Sequence, residues 1–247
     1  MHFNGARIET DLMRPEIVAL GILFVGILIG MAFWQSARTK KARANILNGV
    51  LPLFDTYRVT QEGSDFARLD GKYRGYRFKL ELIPDMIGLR KLPSLWLLVT
   101  LQEKLPWRGS LDLLMRPQNI EFWSPSSQLG HRMTLPKHWP QHMAVNTNRP
   151  EEIPAMERLD PYIAIFDDPR MKELLIAPGG VRLVWQADQG RSAHYMVLRQ
   201  AEWERTQIEP DKVRALLEKT LAIHRDLLVA AREDGVTMPE EADVAAR

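Results

Sequence analysis

Residues 17–34 read IVALGILFVGILIGMAFW, and each of them is apolar or glycine. At about 1.5 Å per residue, a helix of this length is roughly 27 Å long, close to the thickness of the hydrocarbon core of a bilayer. The stretch therefore predicts a transmembrane helix, which we place at residues 17–36. A short extracytoplasmic tail, residues 1–16, precedes it.

Two other structures contain apolar stretches of this kind, a secretory signal peptide and a buried core helix. A signal peptide has a basic n-region and an apolar region of about 7–15 residues that ends in small residues. Here the first sixteen residues carry two arginines against three acidic residues, and Phe33-Trp34-Gln35 does not resemble a cleavage site. An uncleaved anchor is expected.

The residues after the span predict its orientation. Four basic residues follow it, with no acidic residue between Gln35 and Gly49: Arg38, Lys40, Lys41 and Arg43. Lysine and arginine close to a span are retained on the cytoplasmic side, and Trp34 fits an interfacial anchor at the same end. We therefore expect an inner (cell) membrane protein with its N-terminus outside and its C-terminal domain in the cytoplasm.

The span also contains a small-xxx-small motif, Gly26-Ile27-Leu28-Ile29-Gly30. Small residues at this spacing let two helix backbones approach closely in lipid. Gly26 and Gly30 are therefore candidates for helix association in a homo-oligomer or a membrane-protein complex, although glycine is common in membrane helices for other reasons.

Composition limits what the rest of the chain can be. The 247 residues carry a formal charge of +2, with 45% apolar and 26% charged residues, and there is no cysteine. A disordered chain or a polybasic nucleic-acid binder is not indicated. Disulfide scaffolds and cysteine-based metal sites or nucleophiles are excluded.

Residues 37–55 form a basic juxtamembrane connector. It is amphipathic, with Ile46, Leu47, Val50 and Phe54 at helical spacing. The connector lies either on the lipid surface or on its own domain, and the sequence leaves both alternatives open.

Beyond the connector the patterns favour β-structure. Asp70-Gly71 predicts a hairpin turn, and the run after it places Tyr76, Phe78, Leu80 and Leu82 on one face of a half-buried strand. Leu95–Leu101 is apolar on both faces and predicts a central strand.

Further strands are expected at Leu111–Met115 and Ile120–Ser124, and Pro125–Pro154 is loop-rich, a possible domain boundary. Asp168 and Pro169 predict the start of a short helix that ends at Pro178-Gly179-Gly180. Val181–Ala187 and Ala193–Arg199 predict a hairpin.

A long helix opens at Pro210 and ends at Gly235. Its apolar stripe consists of Val213, Leu216, Leu217, Leu221, His224, Leu227, Leu228 and Ala231. The predicted class is therefore α+β, with one transmembrane helix, a mainly antiparallel β domain over residues 56–232 and this C-terminal helix packed on it. Residues 233–247 form a flexible acidic tail.

No stretch of the chain carries a recognised catalytic or phosphate-binding motif. His138 and His142 have metal-ligand spacing, with His131 as a third candidate, but Pro140 disfavours the helix that would align them. His224 lies on an apolar stripe, as a core histidine does. We therefore predict no catalytic residue, no metal and no cofactor.

One resemblance follows from the layout of the chain. A single anchor, a basic collar and the turn Gly71-Lys72-Tyr73-Arg74-Gly75-Tyr76, leading into a β-rich domain, resemble uncharacterised bacterial single-anchor membrane proteins with a cytoplasmic β-rich domain. The resemblance covers roughly residues 15–230. It implies an anchored domain and no catalytic residues.

Three functions are compatible with these patterns. The leading hypothesis is a cytoplasmic protein-interaction domain that acts as an accessory or assembly subunit of a membrane complex. The alternative is a membrane-tethered sensor that binds a small ligand or a lipid headgroup, and an enzyme is the third. A flat apolar patch favours the first and a pocket with converging polar groups favours the second.

Overall fold

The computed structural model describes residues 15–86, 92–118, 121–190, 203 and 207–238. The chain divides into two units, one that ends at Ala42 and one that begins at Arg43. Helix α1 extends over Pro15–Asn45. The sheet and the remaining helices belong to the second unit.

Helix α1 exposes its apolar side chains in every direction. From residue 18 to residue 42 every residue is exposed, and Phe33 retains 74% of its accessible surface. No face of α1 is buried over these residues, unlike the stripe of a core helix. Among the described residues, α1 is the one helix long and apolar enough to cross a membrane.

The second unit is built on one sheet with nine strands among the described residues. Every neighbouring pair in it is antiparallel. The strands are β1 (Thr56–Thr60), β2 (Arg68–Tyr73), β3 (Tyr76–Asp85), β4 (Ser94–Leu101), β5 (Leu111–Met115), β6 (His131–Arg132), β7 (Met143–Thr147), β8 (Met171–Ala177) and β9 (Gly180–Gln189). Their order across the sheet is β1-β2-β3-β4-β9-β8-β5-β7-β6.

Two helices follow in the chain, the single turn α2 (Asp160–Ile163) and the long α3 (Pro210–Glu233). Helix α3 contacts β4 and β9 in the middle of the sheet. The predicted α+β class, with a mainly antiparallel sheet and a long C-terminal helix, is confirmed.

Strand β4 shows how the two faces of the sheet differ. Leu95, Leu97 and Val99 point into the main core, whereas Trp96 and Leu98 belong to a smaller core on the opposite face. Because both faces are covered, the strand carries apolar side chains on both faces, as its sequence predicts.

The stripe of α3 is buried as predicted, with Leu228 half-buried at its margin. Pro210 occupies the first turn, where its missing N–H group costs nothing. At the other end the N–H group of Val236 donates to the carbonyl of Ala231 (2.8 Å), which closes the helix around Gly235.

The part of the juxtamembrane connector that begins at Arg43 packs on its own domain. Ile46, Leu47, Val50 and Phe54 are buried in the main core. The N–H group of Ile208 donates to the carbonyl of Ile46 (3.1 Å), which ties the connector to the segment before α3.

The turn predicted at Asp70-Gly71 is wrong, because both residues lie inside β2. The hairpin instead turns at Arg74-Gly75, where both residues have positive φ (51° and 81°), as a type I′ turn requires. Gly71 instead lies where two neighbours approach the backbone too closely for a side chain. A Cβ there would lie 2.8 Å from the carbonyl oxygen of Thr56 and 2.9 Å from the ring of Phe54.

The short helix predicted after Asp168 is also wrong. Met171–Ala177 form β8, which pairs with β5 on one edge and β9 on the other. A short apolar run fits a strand or a helix equally well by periodicity, and here pairing on both edges decides for the strand. The Asp168 carboxylate accepts hydrogen bonds from the Arg170 N–H, the Trp185 indole and the Lys212 ammonium.

Two loop regions differ from the expectation in part. The described part of Ile120–Ser124 forms a turn closed by the Ser124 N–H group and the Glu121 carbonyl (3.0 Å), not a strand. The loop-rich stretch Pro125–Pro154 contains the strands β6 and β7. Of the hairpin predicted at 181–199, β9 is present, and Ala193–Arg199 lies outside the described residues.

Candidate functional site

The two glycines of the membrane motif lie on an exposed surface of α1. A Cβ added at Gly26 or Gly30 would meet nothing within 4 Å. The notch between them is therefore open to another helix, and helix association stays a prediction.

The residues proposed to set topology lie in different surroundings. The Arg38 guanidinium stacks 5.6 Å from the centroid of the Trp34 ring, which suits a pair at a lipid headgroup layer. Lys40 and Lys41 are exposed on α1. Arg43 instead is held by the domain: its guanidinium donates to the Ser64 carbonyl (2.8 Å) and lies 5.1 Å from the Phe66 ring centroid.

The histidines considered as metal ligands do not converge. The His138 imidazole Nε2 lies 2.8 Å from an Asp160 oxygen, which also accepts a hydrogen bond from the Trp139 indole (2.6 Å). His131 lies on the exposed strand β6 and His142 in an exposed turn. No group of three potential metal-ligating side chains occurs in the part of the chain that the structure describes.

His224 is buried on the inner face of α3. Its Nε2 lies 3.3 Å from the carbonyl oxygen of Lys104, and burial lowers its pKa. This is the environment of a neutral core histidine.

A cluster of ionisable groups lies in the middle of the sheet, where the sequence analysis placed no site. Asp112 on β5 and Glu173 on β8 are both 0% exposed, and their strands are neighbours. Arg182 on β9 donates to one Glu173 oxygen from Nη2 (2.9 Å) and Nε (3.2 Å). We call these three residues the carboxyl cluster.

Three oxygens of the carboxyl cluster are buried without a hydrogen bond of normal geometry to the described residues. They are both oxygens of Asp112 and Oε1 of Glu173. Burial raises the pKa of Asp112 well above its usual range, and the neighbouring charge of Glu173 raises it further. The Asp112 side chain lies within hydrogen-bond reach of the Ser126 hydroxyl and of the Glu173 carboxyl, and a protonated Asp112 that shares its proton with Glu173 accounts for this pair of buried carboxyls.

A second buried ion pair, between Lys172 and Glu121, lies where strand β8 begins. The Lys172 ammonium donates to the carbonyls of Met115 (2.9 Å) and Arg116 (2.7 Å) and to the Glu121 carboxylate (3.1 Å). All donors of this ammonium are accounted for, so Lys172 and Glu121 hold the loop after β5 in place.

A cavity of about 140 Å³, which we call the polar cavity, opens beside the carboxyl cluster. It is lined by Leu114, Pro117, Glu121, Ser126, Ser127, Arg132, Ala144 and Asn146. Asn146 is the register partner of Asp112 on β7 and donates to the Ser126 hydroxyl (2.7 Å). Ser126 in turn lies close enough to lower the pKa of Asp112. Ser126 and Asn146 thus separate the cavity from the cluster.

Two features of the surface suit a protein partner. A mostly apolar groove of about 410 Å³, here the apolar groove, lies at the end of α3 and is lined by Pro106, Leu228, Ala231, Arg232, Gly235, Val236, Thr237 and Met238. Strand β1 is an edge strand among the described residues, with Tyr57 and Val59 exposed. An open edge can pair with a strand of another chain.

Comparison with known proteins gives little further information. No protein-family model and no curated protein matches the chain. Among solved structures, the crystal structure of the mycobacterial trehalose monomycolate transport factor A, TtfA, is similar to 83% of this chain and to 96% of its own, with 12% identity and a TM-score of 0.34. Similarity at this level assigns neither family nor function.

Proposed function

We propose that this protein is a single-pass membrane protein whose sheet domain binds another protein, as an accessory or assembly subunit of a membrane complex. The observation that carries the proposal is helix α1, which exposes apolar side chains on all sides. Such a helix is stable in lipid or against other apolar helices, and not in water.

The basic residues after the span support a cytoplasmic domain. Arg38, Lys40 and Lys41 lie on the helix directly after its apolar part, and positive residues at this place stay on the cytoplasmic side of the inner membrane.

The surface of the domain supports a protein partner. The apolar groove has about 410 Å³ against about 140 Å³ for the polar cavity. Together with the open edge of β1 it provides the two kinds of surface that bind helices and strands of other proteins.

Retention of a partner tests this proposal. The whole chain is purified in mild detergent, and the proteins that copurify with it are quantified for the wild type, Tyr57→Lys and Met238→Lys. Phe122→Lys is the matched control, because Phe122 is equally exposed (53%) and lies in neither surface. Loss of the partner in one of the first two variants, with retention in the control, is expected. Equal retention in all three variants contradicts both surfaces.

A second candidate function, a membrane-tethered sensor of a small ligand or headgroup, is favoured by one observation. The polar cavity collects hydroxyl, amide and guanidinium groups next to a pair of buried carboxyls, Asp112 and Glu173. Ionisable groups that are buried beside a cavity are candidates for ligand recognition.

A further inference from the structure

Three polar residues lie in one row across neighbouring strands of the sheet. Arg132 on β6 is the register partner of Asn146 on β7, and Asn146 is the register partner of Asp112 on β5. Directly opposed residues of antiparallel strands point to the same face of a sheet. Arg132 and Asn146 therefore lie side by side on one face, and both line the polar cavity together with Ser127.

The acidic groups at the polar cavity have partners that balance their charge. Glu121, the one acidic residue of the lining, pairs with the Lys172 ammonium (3.1 Å), and both side chains are almost fully buried. In the carboxyl cluster next to the cavity, Asp112 shares a proton with Glu173. The Arg182 guanidinium pairs with the Glu173 carboxylate (2.9 Å). These groups together add no net charge to the cavity.

Arg132 supplies the unbalanced charge. Its side chain is exposed, and no acidic side chain in the described part of the chain lies within ion-pair distance of it. A guanidinium group carries five N–H donors and no acceptor. Ser127 adds a hydroxyl, and Asn146 has a second amide N–H besides the one that it donates to Ser126 (2.7 Å). The unused groups of the polar cavity are therefore mostly donors around one positive charge, which is complementary to an anion.

The number of donor residues and the volume specify the anion. Arginine binds phosphate and carboxylate groups through two parallel N–H···O bonds. Here the donors lie on β6, on β7 and in the turn before β6, so they approach from three directions. A terminal phosphate group has three free oxygens, whereas a carboxylate or a phosphodiester has two. A water molecule takes about 30 Å³ of liquid volume, so a cavity of about 140 Å³ holds roughly five non-hydrogen atoms, as many as a phosphate ion has.

We propose that the polar cavity binds a terminal phosphate group, carried by a free phosphate ion or by a lipid with an uncapped phosphate. Arg132 makes the two parallel hydrogen bonds, and Ser127 and Asn146 donate to the remaining oxygens. This inference rests on the ligand-binding role proposed for the polar cavity and is independent of the protein-partner role.

Thermal unfolding of the whole chain in detergent tests the chemistry. The probes are inorganic phosphate, acetate and ethanolamine at equal ionic strength and equal pH. Phosphate at ten times its dissociation constant is expected to raise the Tm by roughly 3–6 °C. Acetate, which has two oxygens, and ethanolamine, which is a cation, are expected to leave the Tm unchanged.

Three variants locate the effect. Arg132→Gln removes the charge and should weaken phosphate binding about tenfold or more. Arg132→Lys keeps the charge without the two parallel donors and should bind phosphate with an affinity between those of Arg132→Gln and the wild type. The matched control Arg58→Gln makes the same change on the exposed edge strand β1 and should keep the full shift. Because both arginines are exposed, all three variants are expected to fold.

Lipid nanodiscs distinguish the two sources of the phosphate. Phosphatidic acid has a terminal phosphate, whereas phosphatidylglycerol is also anionic but carries a phosphodiester. If nanodiscs with phosphatidic acid give a higher Tm than nanodiscs with phosphatidylglycerol, the lipid is the ligand. If the two nanodiscs give the same Tm and free phosphate raises it in both, the ligand is the free ion. Both results support the phosphate site.

Four results overturn the proposal. A phosphate shift that persists unchanged in Arg132→Gln comes from another site or from the general effect of the salt on burial. Equal shifts with phosphate and acetate mean that charge alone is recognised. A shift with ethanolamine alone keeps the polar cavity as a ligand site but excludes an anion. No shift with any probe removes the phosphate site together with the observation behind the second candidate function.

Discussion

Helices α1 and α3 are the two long helices of the described chain, with 31 and 24 residues, yet they are built for different surroundings. Along α1 the apolar side chains point in every direction and are exposed. Along α3 they form one stripe that is buried on the sheet, and the other face is charged.

The difference shows that apolar content alone does not decide where a helix belongs. The stripe of α3 has an apolar partner in its own chain, and its polar face needs water. The surface of α1 is apolar on all sides, and a helix of this kind is stable in lipid or against other apolar helices. The following predictions test this distinction.

The largest effect is expected from removing residues 43–55, the part of the connector that packs on the domain between α1 and β1. Ile46, Leu47 and Val50 are buried, and each such side chain contributes about 1.5–3 kcal/mol to stability. A fragment of residues 43–238 should unfold cooperatively, whereas a fragment of residues 56–238 should show a much lower Tm or no transition. Circular dichroism melting of both fragments measures this. Equal melting would show that the connector does not belong to the core.

A smaller effect is expected from one leucine in each helix. Leu217 on α3 is fully buried, so Leu217→Ala should cost about 2–5 kcal/mol of the free energy of unfolding. Leu23→Ala on the exposed surface of α1 is the matched control and should leave the unfolding of the domain unchanged. Denaturant titration measures both changes.

The same pair of variants can also contradict the core placement of α3. If Leu217→Ala melts like the wild type but no longer retains a copurifying partner, the stripe is a docking surface, and the partner site moves from the apolar groove and β1 to α3.

A still smaller effect on the stability of the domain, one that depends on pH, is expected at Asp112, a carboxyl that is buried in the sheet domain. Burial and the charge of Glu173 raise its pKa in the folded state. A hydrogen bond from Ser126 and the charge of Arg182 lower the same pKa by less. A carboxyl whose pKa is raised on folding stabilises the folded state fully below its unfolded-state pKa of about 3.9. This stabilisation is lost as the pH rises through the pKa of the folded state.

The variant Asp112→Asn should therefore melt higher than the wild type at pH 8, with a smaller difference at pH 4. Glu173→Gln, which removes the ion-pair partner of Arg182, is the comparison variant and should melt lower at pH 8 because it takes the carboxylate away from a half-buried guanidinium. Melting curves of the three proteins at both pH values check this. A difference between Asp112→Asn and the wild type that does not change with pH would mean that the Asp112 carboxyl is not the titrating group.

The features that the sequence predicts correctly are those set by local pattern. The uninterrupted run in α1, the stripe with Pro210 and Gly235 in α3, and the two apolar faces of β4 each depend on neighbouring residues alone. The errors arise where contacts between residues that are far apart in the chain determine the local structure. The segment after Asp168 is a strand because β5 and β9 flank it, and Gly71 lies within β2 because Thr56 and Phe54 approach it closely.

The carboxyl cluster could not be predicted for the same reason. Asp112 and Glu173 are far apart in the chain, and they meet only because β5 pairs with β8. The available signal was a single acidic residue in each of two otherwise mostly apolar strands, Leu111–Met115 and Met171–Ala177. Such a residue in a buried strand has to find a partner or a ligand.

Labelling of single cysteines tests the central claim, that α1 is an uncleaved span with the domain in the cytoplasm. The chain has no cysteine of its own, so Thr10→Cys and Lys219→Cys each provide one site without background. A membrane-impermeant maleimide applied to intact spheroplasts should label Thr10→Cys and leave Lys219→Cys unlabelled until the cells are lysed. Labelling of Lys219→Cys in intact spheroplasts, or a mature chain that lacks residue 10, would contradict the account.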